Sequence, residues 1–191
     1  SVNSASEPSC QMSIQRVKAG ADDYKTVLAS TSSSEVYVDY SYDIGQIIQW
    51  TNYESSTNSL KSQANSIAHW YYLSDKYPGY TMWSSETTSF DTTQGSINDS
   101  YFVAAVNALA QTPSRIEDVF ATKAVDDEGI YAFNVYALGI PQQVSIDGRI
   151  PFNSIGSTIF ASVGSDGSLW GPLVEKAWAK TSGNYEMTTS G

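Results

Sequence analysis

Apolar and polar residues alternate along this chain with two different periods, and each period predicts a different kind of element. Between positions 10 and 53 the period is two, as where Val36, Val38 and Tyr40 share one face of the chain. That alternation is typical of strands. Between positions 59 and 74 apolar residues recur at spacings of three and four, which predicts a helix that ends at the Pro-Gly pair after it.

The second half of the chain begins with a clearer helix. It starts at Ser100, continues through a stretch rich in alanine and valine, and ends before Pro113, which cannot continue a helix. We expect Asn98 or Asp99 to cap its first turn, because a short polar side chain can accept a hydrogen bond from the free N–H groups there.

Three further elements follow this helix. Ser114 and Glu117 have the spacing of a capping box, which predicts a second short helix that ends near position 121. Residues 129–137 and 140–147 are strand-like and are joined by a Leu-Gly pair, as in a β-hairpin. An apolar stripe at helical spacing then begins at position 169, and Gly183 is expected to end that helix.

These elements divide the chain into two unequal parts. Residues 1–83 are predicted to form a small β-rich segment with one helix, of unknown type. Residues 84–191 are predicted to form a lobe of helices plus a β-hairpin. The fold class expected for the whole chain is therefore α+β.

Charge and length narrow the classes of function. The chain has 191 residues, a formal net charge of −10 and an isoelectric point of about 4.3. Such an acidic surface repels phosphate backbones, so we expect no nucleic-acid partner. No apolar run approaches the roughly 18 residues that cross a bilayer, so we expect no membrane span.

Cysteine and histidine are almost absent. The single cysteine, Cys10, allows no internal disulfide, and the single histidine, His69, allows no metal site built on several imidazoles. Serine and threonine are abundant and charged residues are few, a balance that suits an extracellular or lumenal protein, although a merely serine-rich surface explains it equally well. Asn98 begins an Asn-Asp-Ser sequence, which matches the acceptor pattern for N-glycosylation. An unmodified polar turn explains the same three residues at least as well.

One segment combines residue types that can support chemistry. Gln94 and Gly95 form a turn, and Ser100 then lies at a helix N-terminus, where free N–H groups and the positive end of the helix dipole meet. A cysteine in that setting has a lowered pKa, and an upstream glutamine can share an oxyanion hole with the nucleophile's own N–H. Without further information, Ser100 is most simply a serine that begins a helix.

Four segments after position 90 together resemble one protein family. Each is similar to a motif of the calpain proteases, which are papain-like enzymes, and the four follow the order of the family's first lobe, the one that carries the nucleophile. The first segment matches the family pattern QGxxxDCWxxAA. The segments are residues 94–105 (QGSINDSYFVAA), 129–133 (GIYAF), 146–151 (IDGRIP) and 169–186 (LWGPLVEKAWAKTSGNYE).

The resemblance implies a calpain-like or papain-like first lobe with altered chemistry. Ser100 stands at the position of the family's catalytic cysteine, Tyr101 at that of the following tryptophan, and Gln94 at the oxyanion-hole position. An alcohol is far less acidic than a thiol, so a helix dipole alone does not activate it. The family's general base histidine and orienting asparagine belong to the second lobe, and this chain has no histidine after His69.

The resemblance also implies a calcium site, with one acid before the Gln-Gly pair and another before a Phe-Trp pair. Asp91 matches the first position, whereas Ser168 occupies the second. Losing a carboxylate weakens a site for Ca²⁺, which prefers several oxygen ligands. We therefore expect no cofactor and at most a degenerate calcium site at Asp91.

Two hypotheses of function follow, and a third stays open. The first is a catalytically inactive calpain-like module, a pseudoprotease, with a structural or interaction role. Its open apolar surface is expected to be covered by a partner protein or by a second copy in a homo-oligomer. The alternative is the nucleophile-bearing fragment of a processed calpain-like cysteine protease, with serine in place of cysteine at position 100 and the His/Asn lobe on another chain. The third is a small recognition domain in residues 1–83 whose ligand the sequence does not specify.

Overall fold

Short helices and two small antiparallel sheets make up the described part of the chain in this computed structural model. The structure describes residues 24–31, 35–40, 61–84, 92–137 and 139–189. The helices are α1 (Tyr24–Ser30), α2 (Lys61–Ser66), α3 (Leu73–Lys76), α4 (Ser100–Ala110), α5 (Pro113–Glu117) and α6 (Trp170–Ser182), followed by a 3-10 helix, Glu186–Thr188. The strands are β1 (His69–Tyr72), β2 (Ile130–Ala137), β3 (Ile140–Asp147) and β4 (Arg149–Phe152). The α+β class is confirmed.

The hairpin predicted in the second half is confirmed. Strands β2 and β3 pair in antiparallel register from Ile130 opposite Asp147 to Ala137 opposite Ile140. Helix α1 packs on this hairpin with Val27 buried, although the alternating pattern around it predicted a strand. The strand-like residues 36–39 likewise form no strand, and the part of the alternating stretch from 41 to 53 lies outside the described residues.

The helix predicted over residues 59–74 is wrong in its second half. Residues 69–72 form β1, which pairs with β4 so that His69 lies opposite Phe152 and Tyr72 opposite Arg149. The backbone N–H of Ala68 also donates to the carbonyl oxygen of Phe152, at 2.8 Å. Pairing with a distant strand thus overrides a local helical pattern. Strand β1 lies before the boundary predicted at 83/84 and β4 lies after it; the boundary itself stays a prediction.

Helices α4 and α5 start differently from what their sequences predict. Helix α4 begins at Ser100 as expected, but its N-cap residue Asp99 makes no side-chain capping hydrogen bond. Helix α5 begins at Pro113 rather than after Ser114, because the fixed φ of proline suits the first position of a helix. Thr112 is its N-cap residue, so the expected capping box does not form.

Helix α6 is the centre of the lobe. Almost every residue of its first three turns is buried, and Gly183, with a φ of 112°, ends it as predicted. Burying large apolar side chains is the main favourable contribution to folding. The largest fully buried residues of the main apolar cluster around α6 are Trp170, Tyr131, Phe120, Phe133 and Phe152. None of the helices in the described ranges is long and apolar enough to cross a bilayer.

A buried network of charges fixes α6 against the hairpin and the N-terminal segment. The Asp147 carboxylate accepts hydrogen bonds from Lys176 Nζ at 2.5 Å and from Arg149 Nη2 at 2.6 Å. Lys180 Nζ contacts Asp39 Oδ2 at 2.8 Å, and the Asp39 N–H donates to Asp147 Oδ2 at 2.9 Å. The two lysines of α6 are thereby satisfied inside the protein, as buried cations must be.

Candidate functional site

The turn before α4 is held by a very close backbone contact. A Cβ atom on Gly95 would lie 2.1 Å from the carbonyl oxygen of Phe160, so only glycine fits there. The next residue, Ser96, donates its N–H to Ile159 O at 2.9 Å. The Gln-Gly turn is therefore positioned by the segment 159–160.

Threonines upstream of the turn extend this contact. Thr92 Oγ1 donates to Ser162 O at 3.1 Å, and the Thr93 N–H donates to Ser162 Oγ at 3.1 Å. A Cβ on Gly171 would lie 2.3 Å from Thr92 Oγ1. Because glycine has no side chain, the first turn of α6 leaves room for Thr92. Residues 92–96 are consequently packed between α6 and residues 159–162.

Ser100 is the first residue of α4, and its side chain is exposed. The N–H groups of Phe102 and Val103 are directed back to the carbonyl oxygen of Asp99, at 2.8 and 3.1 Å, so the first turn of the helix is closed. Among the described residues none forms a hydrogen bond with the Ser100 hydroxyl. The helix N-terminus is present, but no base in the described part of the chain forms a hydrogen bond with the Ser100 hydroxyl.

Gln94 uses its amide group within its own loop. Its Nε2 donates to the carbonyl oxygen of Ile97 at 2.5 Å. In this arrangement the amide closes the turn between the Gln-Gly pair and α4. Donation to an oxyanion near Ser100 would require the side chain to release Ile97.

Aromatic residues join α4 to the end of α6. Phe102 stacks on Trp178 with a centroid distance of 5.2 Å and an interplanar angle of 6°. Trp178 Nε1 donates to Tyr101 Oη at 3.2 Å, and that hydroxyl donates to the carbonyl oxygen of Thr188 at 3.0 Å. Tyr101, which follows Ser100, thus anchors the 3-10 helix to α4.

Sequence reasoning missed one pair of titratable groups at this site. Asp99 is fully buried, and Glu175 on α6 is 1% exposed. Burial raises the pKa of both carboxyl groups, that of Glu175 well above its usual range, and the charge of Asp99 raises it further. Glu175 lies beside the apolar stripe of α6 and not within it, so the local sequence carried no signal that could have revealed the pair.

The other predicted site residues lie apart from Ser100 or outside the described ranges. His69 begins β1, with its ring centroid 5.1 Å from that of Tyr71, instead of lying in a helix. Asp91 lies outside the described residues, and Ser168 is fully buried, its N–H donating to Asp166 Oδ1 at 3.2 Å. Within the described ranges no group of three histidine, cysteine or acidic residues could hold a metal ion.

An open cavity of about 370 Å³ lies in another part of the lobe. It is lined by Tyr24 and residues 121–128. Burial first, and a hydrogen bond with Glu128 second, raise the pKa of Asp126 in this cavity to about 6. None of the residues that line it belongs to the turn before α4 or to α4.

Comparison with known proteins gives one consistent result. A family model described as calpain family cysteine protease matches residues 49–191. The chain is 36% identical over 110 residues to the calpain-type cysteine protease DEK1 of Zea mays, which is 58% of this chain and 5% of that protein. It is 38% identical over 104 residues to human calpain-14, 53% of this chain and 15% of that protein.

The chain therefore matches only a small part of these relatives' length. The chicken calpain-2 catalytic subunit gives the same picture, with 30% identity over 107 residues, 54% of this chain and 15% of that protein. The family-model match over residues 49–191 includes the Gln-Gly turn, α4, the hairpin and α6, the elements whose motifs carried the resemblance seen in the sequence. The resemblance is confirmed: the chain belongs to the calpain family of cysteine proteases.

Proposed function

We propose that this calpain-family lobe is catalytically inactive as it stands and that it has a structural or interaction role. The observation that carries the proposal is the state of position 100. Its side chain is a serine hydroxyl, exposed at the start of α4 and without a hydrogen bond to any described base. A serine attacks a peptide carbonyl only when a base in hydrogen-bonding reach removes its proton.

The direct test is peptide hydrolysis by the purified chain, with and without calcium. We expect no turnover above that of a Ser100→Ala variant, which serves as the matched control. Ser100→Cys alone is not expected to restore activity, because a thiolate still needs a general acid to protonate the leaving amine. Turnover that disappears in Ser100→Ala would overturn the proposal.

The alternative function is the nucleophile-bearing part of a processed calpain-like cysteine protease. Gln94 beside the tightly packed Gly95 favours it, because the residue type that an oxyanion hole needs is present in the turn before α4, and its amide would serve there once released from Ile97 O. This alternative requires a cysteine codon at position 100 and a histidine and an asparagine supplied by a second lobe. The encoding transcript decides between the two proposals.

A partner protein or a second copy of the chain is proposed to cover α4. Apart from Ser100 at its first position, the exposed residues of α4 are apolar and have the spacings of one helical stripe. Their exposure in an isolated lobe favours association. Sedimentation at high concentration that shows only monomer would contradict self-association. The residues are Tyr101, Ala104, Ala105, Ala108 and Leu109.

We further propose that the protein is extracellular or lumenal, that Asn98 is glycosylated, and that calcium binds at most weakly. The Asn98 side chain is exposed, so an oligosaccharide transferase could reach it in an extracellular or lumenal protein. A mass shift after treatment with a glycosidase specific for N-glycans would support this; an unmodified Asn98 in the secreted protein would not. Because Ser168 offers no carboxylate, calorimetry is expected to detect no tight calcium site.

A further inference from the structure

Two buried carboxyl groups connect the residue before position 100 to helix α6. Neither oxygen of the Asp99 carboxylate accepts a hydrogen bond from a described N–H or O–H group. Both oxygens of Glu175 accept the N–H of Ala161, at 3.1 and 3.0 Å. The two carboxyl groups lie within hydrogen-bonding reach of each other.

The charged groups of the neighbouring elements are engaged elsewhere. On α6, Lys176 binds Asp147 and Lys180 binds Asp39. In the 3-10 helix packed against α6, the pKa of Glu186 is raised by burial alone. Both lysines of α6 therefore bind other carboxylates, and neither neutralises Asp99 or Glu175.

We propose that Asp99 and Glu175 share one proton at neutral pH, and that this carboxyl–carboxylate hydrogen bond fastens the N-terminus of α4 to α6. Two adjacent carboxylates cannot both stay ionised in a desolvated site, so one remains protonated and donates to the other. The shared O–H also supplies the donor that the Asp99 oxygens otherwise lack. The link goes beyond the proposed function, because it holds residue 100 in place whether or not that residue reacts.

The link reaches the Gln-Gly turn through Ala161. Because Glu175 also accepts the Ala161 N–H, the shared proton connects α4, α6 and the segment 159–162. That segment is the one on which Gly95 and Ser96 pack. Loss of the proton would place two like charges at the junction of all three elements.

The direction in which stability changes with pH follows from the number of protons that the folded and the unfolded chain bind. The folded protein holds the proton at pH values where exposed carboxyl groups of the unfolded chain have lost theirs, so stability falls as the pH rises through the range of the pair. In Glu175→Gln the amide nitrogen can donate to Asp99 at every pH, while the amide oxygen accepts the Ala161 N–H. That variant is expected to lose this part of the pH dependence.

Infrared spectroscopy of the wild-type chain at neutral pH tests the proposal first. The C=O stretching band of a protonated carboxyl group should be present, although all exposed carboxyl groups are ionised. The band should be lost in Glu175→Gln and in Asp99→Asn. It should persist in the matched control Asp118→Asn, whose side chain is 78% exposed. Absence of the band in the wild-type chain would overturn the proposal without any variant.

Urea unfolding from mildly acidic to alkaline pH gives the second readout. The unfolding midpoint of the wild-type chain should fall relative to that of Glu175→Gln as the pH rises. The wild-type chain and Asp118→Asn should stay parallel. A purely structural role for Glu175 would shift its midpoint by the same amount at every pH, and that result would contradict a shared proton.

Discussion

Replacing Asp147 with asparagine should destabilise the protein far more than the same change at an exposed salt bridge. The Asp147 side chain is 1% exposed and binds both Lys176, whose side chain is fully buried, and Arg149. Asp147→Asn removes the negative charge that faces the Lys176 ammonium, which also donates to the backbone carbonyl oxygens of residue 147 at 3.1 Å and Arg149 at 2.7 Å. Removing one partner of a buried pair costs about 3–5 kcal/mol.

The matched control is Asp118→Asn. The Lys123–Asp118 pair has a distance of 3.3 Å, and its side chains are 53% and 78% exposed. Exposed pairs of this kind contribute about 0–1 kcal/mol. Urea unfolding of both variants at neutral pH measures the difference. A loss in Asp147→Asn no larger than that in Asp118→Asn would refute the reasoning.

The pH dependence of Asp147→Asn supplies an independent check. Burial by itself would raise the pKa of Asp147, but the charge of Lys176 and the hydrogen bonds from Arg149 and Lys176 outweigh it and lower that pKa. A lowered pKa means that the stability from Asp147 is complete above the unfolded value of about 3.9 and is lost as the pH falls further. The gap between the wild-type chain and the variant should therefore narrow only in acid; a gap that is constant with pH would contradict this account.

Three further predictions concern other residues. Gly95→Ala would place a Cβ 2.1 Å from Phe160 O, and we expect overpacking to lower the free energy of unfolding by about 1–3 kcal/mol; a variant as stable as the wild-type chain in urea would contradict the close contact. Lys180→Met would leave the buried Asp39 carboxylate without its 2.8 Å partner, with an expected loss of about 3–5 kcal/mol in the same assay; no loss would contradict the buried pair. Asp126 should titrate with a midpoint of about 6 by NMR, and a midpoint near the usual aspartate value would contradict its partial burial.

Sequence patterns predicted those helices and strands whose ends are set by residues close to them along the chain. The hairpin follows from two alternating runs around a Leu-Gly turn, and its strands are those expected. The start of α4 at Ser100 and its end before Pro113 follow from turn and breaker residues, as does the end of α6 at Gly183. These features need no knowledge of the rest of the chain.

Features that depend on distant partners were not predictable in this way. Residues 69–72 carry a helical pattern, yet they form β1 because β4 offers an unpaired edge. Asp99 has the residue type of a helix cap, but its carboxyl group lies against Glu175 of α6, which local sequence does not place nearby. The motif around Gln94 predicted a turn. The need for glycine at position 95 comes from a tertiary contact with the carbonyl oxygen of Phe160, which the local sequence does not reveal.

The reactivity of Ser100 tests the central claim most directly. Ser100 and Ser114 are both exposed and both lie in the first turn of a helix, so each serves as a control for the other within one molecule. Treatment of the chain with a serine-directed covalent reagent, followed by mass spectrometry, measures their relative labelling. An unactivated serine predicts that Ser100 is labelled no faster than Ser114. Rapid and selective labelling of Ser100 would show an activated nucleophile and would contradict a catalytically inactive lobe.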